Sequence, residues 1–133
     1  MHDLNRVTII GRLTRDPELR AIPSGTSVCS LRLASNSSHK DPDTGEWSDR
    51  PNYFDVSVFG TPGERVATYM HKGSRVGVDG RLAWREWEDG EERKRQAVSI
   101  IADTVQFLER PGDRHSEEGE LAGVGAGEDA ETL

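Results

Sequence analysis

From Val7 onward apolar and polar residues alternate, with Val7, Ile9, Gly11 and Leu13 in one register and Thr8, Ile10, Arg12 and Thr14 in the other. A period of two marks a half-buried strand, and Gly11 offers a place for a bulge or sharp bend within it. Asp16-Pro17-Glu18 forms a corner, and Pro23-Ser24-Gly25 supplies turn chemistry. The alternation returns over 27–35, with Cys29, Leu31 and Leu33 inward and Arg32 outward. Residues 36–51 are polar and turn-rich, longer than most connections in compact domains, and are expected to be a functional loop or a disordered one. In the strand that follows, Phe54, Val56 and Val58 suit a core, while Tyr53, Asp55, Ser57 and Phe59 share the other face. Thr61-Pro62-Gly63-Glu64 has capping-box spacing with Pro62 at the first helical position, and Gly73 is placed to end the helix, which predicts one helix over 62–72.

Residues 74–101 read as a hairpin with Asp89-Gly90 at its tip, and 104–108 as a short closing strand. Along the first arm Val76, Val78 and Leu82 face inward, whereas Asp79, Arg81, Arg85 and Trp87 have the opposite parity. Trp84 shares the parity of Leu82 and is assigned to packing, unless the twist of the hairpin turns it outward. Three strands, a helix and two further strands predict an all-β fold with one helix, closed into a small five-stranded barrel.

Charge divides the chain. Of 133 residues, 17 are basic and 24 acidic, and the formal net charge is −7. Asp113, Glu117, Glu118, Glu120, Glu128, Asp129 and Glu131 face a single base, Arg114, so residues 111–133 hold −6 of that total and residues 1–110 only −1. The acidic balance thus belongs to the tail. Rich in Gly, Glu and Ala and without an apolar period, 111–133 is expected to be disordered, which leaves 1–110 as one domain. Cys29 is the only cysteine, which excludes an internal disulfide and a four-cysteine zinc site, and its apolar run predicts a buried structural thiol. No stretch reaches membrane-spanning length, and Met1-His2-Asp3-Leu4-Asn5 lacks an export pattern, so a cytoplasmic protein is expected.

Catalytic patterns are absent. Asp43-Thr44-Gly45 echoes an aspartic-protease triplet but lies among turn residues without a second copy. His2, His39, His71 and His115 lack metal-ligand spacing, and no phosphate-cradling glycine loop with its lysine occurs. No enzyme, metal or cofactor is expected. What stands out is a polar sheet face carrying Tyr53, Phe59 and Trp87 beside Arg81 and Arg85. Unpaired bases expose π-faces and their phosphates need cations, so this combination suits single-stranded nucleic acid with little sequence preference. The other reading is that these rings fill gaps between sheets or subunits.

The run Leu4-Asn5-Arg6-Val7-Thr8-Ile9-Ile10-Gly11-Arg12-Leu13-Thr14-Arg15-Asp16-Pro17-Glu18 closely resembles the amino-terminal signature of bacterial single-stranded DNA-binding proteins. The resemblance continues through Thr44-Gly45-Glu46, Val58-Phe59-Gly60, Lys72-Gly73-Ser74 and Gly80-Arg81-Leu82 to about Leu108. It implies an oligonucleotide-binding (OB) barrel that coats DNA in replication, recombination and repair as a homotetramer, close to the nucleoid. Matched positions imply stacking on His39, Tyr53, Phe59 and Trp87. His39 stands where relatives commonly have tryptophan, and Trp47 either substitutes for it or packs on the barrel. Arg12, Arg20, Arg32, Lys72, Arg81 and Arg85 are the candidate phosphate contacts, by parity or by family position. Asp55, where relatives often carry a base, is expected to repel phosphate locally. The carboxy-terminal residues keep the family's acids without its Pro-Phe tip, which implies weak or absent recruitment of replication and repair enzymes. A different class, a primosomal or scaffold module whose aromatic face binds protein, remains the alternative.

Overall fold

The computed structural model describes residues 1–108 and the backbone of 131–132. In chain order the elements are β1 (Val7–Leu13), β2 (Glu18–Ala21), β3 (Ser27–Lys40), β4 (Trp47–Phe59), α1 (Thr61–Tyr69), β5 (Arg75–Glu88), β6 (Lys94–Phe107) and β7 (Glu131–Thr132). β1 pairs with β5 from Val7 opposite Gly80 to Arg12 opposite Arg75, and its last two residues also pair with Ala34 and Leu33 of β3. β3 pairs with β4, β4 runs parallel to β6 at Val56–Ile100 and Ser57–Ile101, and β6 returns antiparallel along β5. The ring β1-β3-β4-β6-β5 is therefore closed, as the fold expectation required.

Inside lie Leu13, Cys29, Leu31, Leu33, Val56, Val58, Val76, Val78, Ile100, Val105 and Phe107, with Val66 and Met70 from the helix end. Burial pushes the Cys29 thiol up to about 11, so it stays protonated at neutral pH and packs as a small apolar group. Gly11 carries no bulge. A Cβ there would stand 2.7 Å from the Ala34 carbonyl oxygen, so glycine lets β1 reach β3 at the closing seam. The bulge lies instead where Asp79 opposes Thr104 and Gly80 opposes Ala102, with Asp103 the extra residue of β6. That insertion shifts the inward parity from Ile100 to Val105 and Phe107, all buried. The expected break between hairpin and closing strand is thus a bulge within one continuous strand.

Three other expectations are corrected. First, Gly60 with φ 75° precedes the helix, and Thr61 makes no side-chain cap bond. Glu64 does not close a capping box either, because its carboxylate accepts from Ser27 Oγ of β3 at 2.9 Å. Second, α1 stops at Tyr69 rather than residue 72, since Met70 turns extended and buries its side chain. Gly73 serves the next turn, with φ 92° and the Ser74 N–H donating to the His71 carbonyl at 2.9 Å. Third, residues 36–51 are not a loop. β3 and β4 stay paired out to Lys40 opposite Trp47, leaving only 41–46 as a tip tied by the Asp41 carboxylate to the N–H groups of Asp43 and Thr44.

β3–β4 and β5–β6 therefore leave the barrel as two long ribbons. The second ends in 89–93 rather than a two-residue turn, with Asp89 Oδ1 accepting from the Glu91 and Arg93 N–H groups. β2, unforeseen because all four of its residues are exposed, pairs with β3 from Glu18 opposite Ser30 to Ala21 opposite Ser27. The expected disordered tail lies outside the described residues except at Glu131–Thr132, whose backbone pairs with Phe107 and Gln106.

Candidate nucleic-acid interface

β4 presents its odd-numbered residues outward, because Val56 and Val58 are drawn into the core and side chains alternate. The ladder from Val28 opposite Phe59 to Lys40 opposite Trp47 is unbroken, so the parity holds for the whole strand. Trp47, Tyr53, Asp55, Ser57 and Phe59 accordingly share one face, and the three rings are exposed. His39 pairs with Ser48 and has the other parity. The expected stackers Tyr53, Phe59 and Trp47 are brought together, and His39 is not.

Cations sit over these rings. The Lys40 ammonium lies 5.9 Å from the Trp47 ring centroid, and the Arg32 guanidinium carbon 5.4 Å from that of Tyr53. On the second ribbon Arg85 lies 4.3 Å over Trp87. Arg95 is directly opposite Trp87 and is held by Asp89 at 2.9 Å. Each pairing leaves an aromatic face within reach of a cation, which is the local composition that base and phosphate require together.

A half-open groove of about 510 Å³ crosses β3, β4 and β6, bordered by Arg15, Arg20, Arg85, Ser30, Ser57 and Asp55. Two candidate phosphate ligands, Arg20 and Arg85, meet here. Arg32 is nearby but ion-paired with Asp55, Nη1 to Oδ1 at 2.9 Å. Arg12 donates to the Gly73 carbonyl at 2.9 Å, and the Lys72 N–H donates to Asp16 Oδ1 at 2.8 Å, so these two gather at the turn after the helix. Arg81 borders a hollow beside His2, Asp3, Leu4 and Asn5. Arg15, Lys40 and Arg95 were not foreseen. The Asp89 hairpin register was the signal for Arg95, and Arg15 lay in plain view in the Thr14-Arg15-Asp16 run.

Three apolar residues expected inside are outside. Phe54 is 38% exposed, Leu82 43% and Trp84 60%. Leu82 and Trp84 keep inward parity, but Leu82 is opposite the last sealed residue, Ile100, Trp84 lies further out, and among the described residues nothing buries either side chain. Trp84 instead donates its Nε1–H to Gln96 Oε1 at 2.8 Å, with exposed Val98 directly opposite. Phe54 is directly opposite Leu33 and borders the hollow between β1 and β3 lined by Val7, Ile9, Ser35 and Ser37.

Comparison with known proteins accords with this geometry. A single-stranded DNA-binding protein of Oceanobacillus iheyensis is 39% identical over 111 residues, covering 84% of this chain and 67% of its own length. Single-stranded DNA-binding protein 3 of Listeria innocua is 40% identical over 106 residues, covering 80% and 64%. The chain thus spans about two thirds of the length of these relatives. Among solved structures, the Plasmodium falciparum SSB in complex with ssDNA matches with a TM-score of 0.69 and 27% identity over 77% of this chain and 89% of that one. A deletion mutant of the Thermus aquaticus single-stranded DNA binding protein matches at 0.68 with 33% identity, over 77% of this chain and 49% of that one. Residues 4–108 match the model of the single-strand binding protein family, and the chain belongs to that family.

Proposed function

We propose that the protein binds and coats single-stranded DNA with little sequence preference, without catalysis, in replication, recombination and repair. The observation that carries this reading is the outer face of β4 and the β5–β6 ribbon, where Tyr53, Trp47 and Trp87 each lie beneath a cation and a groove on the same sheet is bordered by Arg15, Arg20 and Arg85. Bases stack on these rings and on Phe59, and phosphates run along the arginines. Every base has a π-face, so stacking is tolerant of sequence, and the cationic part of the affinity falls with salt. An anisotropy titration with labelled oligo-dT, competed by unlabelled single strand or duplex of equal length, tests the reading. Competition by the single strand alone is expected, and equal competition by duplex overturns it.

A homotetramer is part of the proposal. β1 pairs with β3 only at its last two residues, so among the described residues the edge of 7–11 on that side has no strand partner, with Ile10 exposed beside it. Open edges and exposed apolar side chains favour symmetric self-association. The exposed Leu82, Trp84 and Val98 side of the second ribbon keeps the protein-binding reading open as a further use of that side. A cytoplasmic, nucleoid-associated place follows from the DNA-coating role. No described helix is long and apolar enough to cross a membrane. The expectation about recruitment of replication and repair enzymes falls on residues whose side chains lie outside the described set.

A further inference from the structure

Asp55 sits on the cationic face between Tyr53 and Ser57 and borders the groove with Arg15, Arg20 and Arg85. A carboxylate in the middle of a phosphate path opposes the binding that the rest of the face favours. Its geometry gives it a second role. Arg32 and Asp55 are directly opposite across β3 and β4, Arg32 Nη1 donates to Asp55 Oδ1 at 2.9 Å, and the same guanidinium lies over the Tyr53 ring. One cation thus serves a carboxylate and an aromatic face at once. Lys40 and Arg85, over Trp47 and Trp87, have no ion-pair partner among the described residues. The Tyr53 ring is the one whose cation is held from the side.

We propose that Asp55 is an affinity-tuning residue that keeps Arg32 over the Tyr53 ring as an internal competitor of DNA. A base that stacks on the covered face of Tyr53 displaces the guanidinium, and a phosphate that captures Arg32 replaces the Asp55 carboxylate. The two events become one exchange. The competitor is weak by construction, because the side chains are 39% and 60% exposed and such pairs are screened by water and salt. It therefore tunes affinity without blocking binding, and the tuning relaxes as salt rises. The inference rests on the proposed passage of DNA over the outer face of β4.

A double-mutant cycle with separate controls tests it. Anisotropy titrations with labelled oligo-dT at low and moderate salt are run on the full chain, Asp55→Asn, Arg32→Met, the double variant and Tyr53→Ala. Asp55→Asn is expected to tighten binding about two- to fivefold at low salt and to steepen the log–log salt dependence by roughly 0.7, one added phosphate contact. In the Arg32→Met background the same change is expected to alter affinity by less than about 1.5-fold, since the competed group is gone. Equal tightening in both backgrounds means Asp55 acts by repelling phosphate directly, which overturns the exchange and leaves the DNA path standing. If Tyr53→Ala, Arg32→Met and Asp55→Asn are all silent, DNA does not cross this face, and path and exchange fall together.

Discussion

Along β5 and β6 the same two strands are first a barrel wall and then a free ribbon, and the two halves answer to different constraints. In the wall, Val76, Val78, Val105 and Phe107 are sealed and Gly80 is pressed so close that a Cβ would stand 2.1 Å from the Ile101 carbonyl oxygen. In the ribbon, Trp84, Trp87 and Val98 meet solvent, and no core depends on them. The ribbon's own two sides differ again. Trp87 has Arg85 over its ring and Arg95 opposite, whereas Trp84 has Val98 opposite and shares its side with Leu82 and Glu86. Two tryptophans three residues apart thus have different chemistry, because parity chooses their neighbours.

Substitutions separate the wall from the ribbon. Gly80→Ala is expected to cost about 2 kcal/mol by forcing backbone apart at the bulge, a Tm loss of roughly 10 °C by thermal melt. Oligo-dT affinity of the folded fraction should not change. An unchanged Tm would mean that the wall gives way as easily as the ribbon. Trp87→Ala is expected to weaken oligo-dT binding by about 1–3 kcal/mol with Tm held, and Trp84→Ala to alter it by less than about 0.5 kcal/mol. Equal losses from the two would erase the distinction between the ribbon's sides.

The first ribbon provides a finer comparison. Trp47 shares the face of Tyr53, whereas His39 does not. Trp47→Ala should therefore cost about 1 kcal/mol of binding, and His39→Trp should restore less than that. Intrinsic fluorescence titration of both variants decides it. A His39→Trp gain equal to the Trp47→Ala loss would show that the ribbon exposes both sides to DNA.

Much of the barrel was legible because alternation reports which side of a strand a residue occupies. It does not report whether anything covers that side. Phe54, Leu82 and Trp84 have core parity, yet all three are exposed: Phe54 and Leu82 stand opposite the sealed Leu33 and Ile100 without being covered themselves, and Trp84 lies out on the ribbon. For the same reason 36–51 carried no strand signal: with both faces of the ribbon wet, polar residues occupy both. The extra residue Asp103 was invisible because its effect, a change of inward parity between Ile100 and Val105, depends on pairing with β5. At the interface, Tyr53, Phe59 and Trp87 could be read from parity and resemblance. Placing Trp47 with them and His39 apart required the register across 41–46, and the tie between Arg32 and Asp55 required knowing that the two are cross-strand partners.

The central claim is that single-stranded DNA runs over the outer face of β4 and the Trp87 side of the ribbon. Photo-cross-linking with oligonucleotides carrying iodinated deoxyuridine, followed by mass-spectrometric mapping of the adducts, tests it most directly. Adducts on Trp87, Phe59, Tyr53 and Trp47, with Trp84 and Phe54 unmodified, are expected. Adducts concentrated on Trp84 or Phe54, with Trp87 and Tyr53 unmodified, would contradict it.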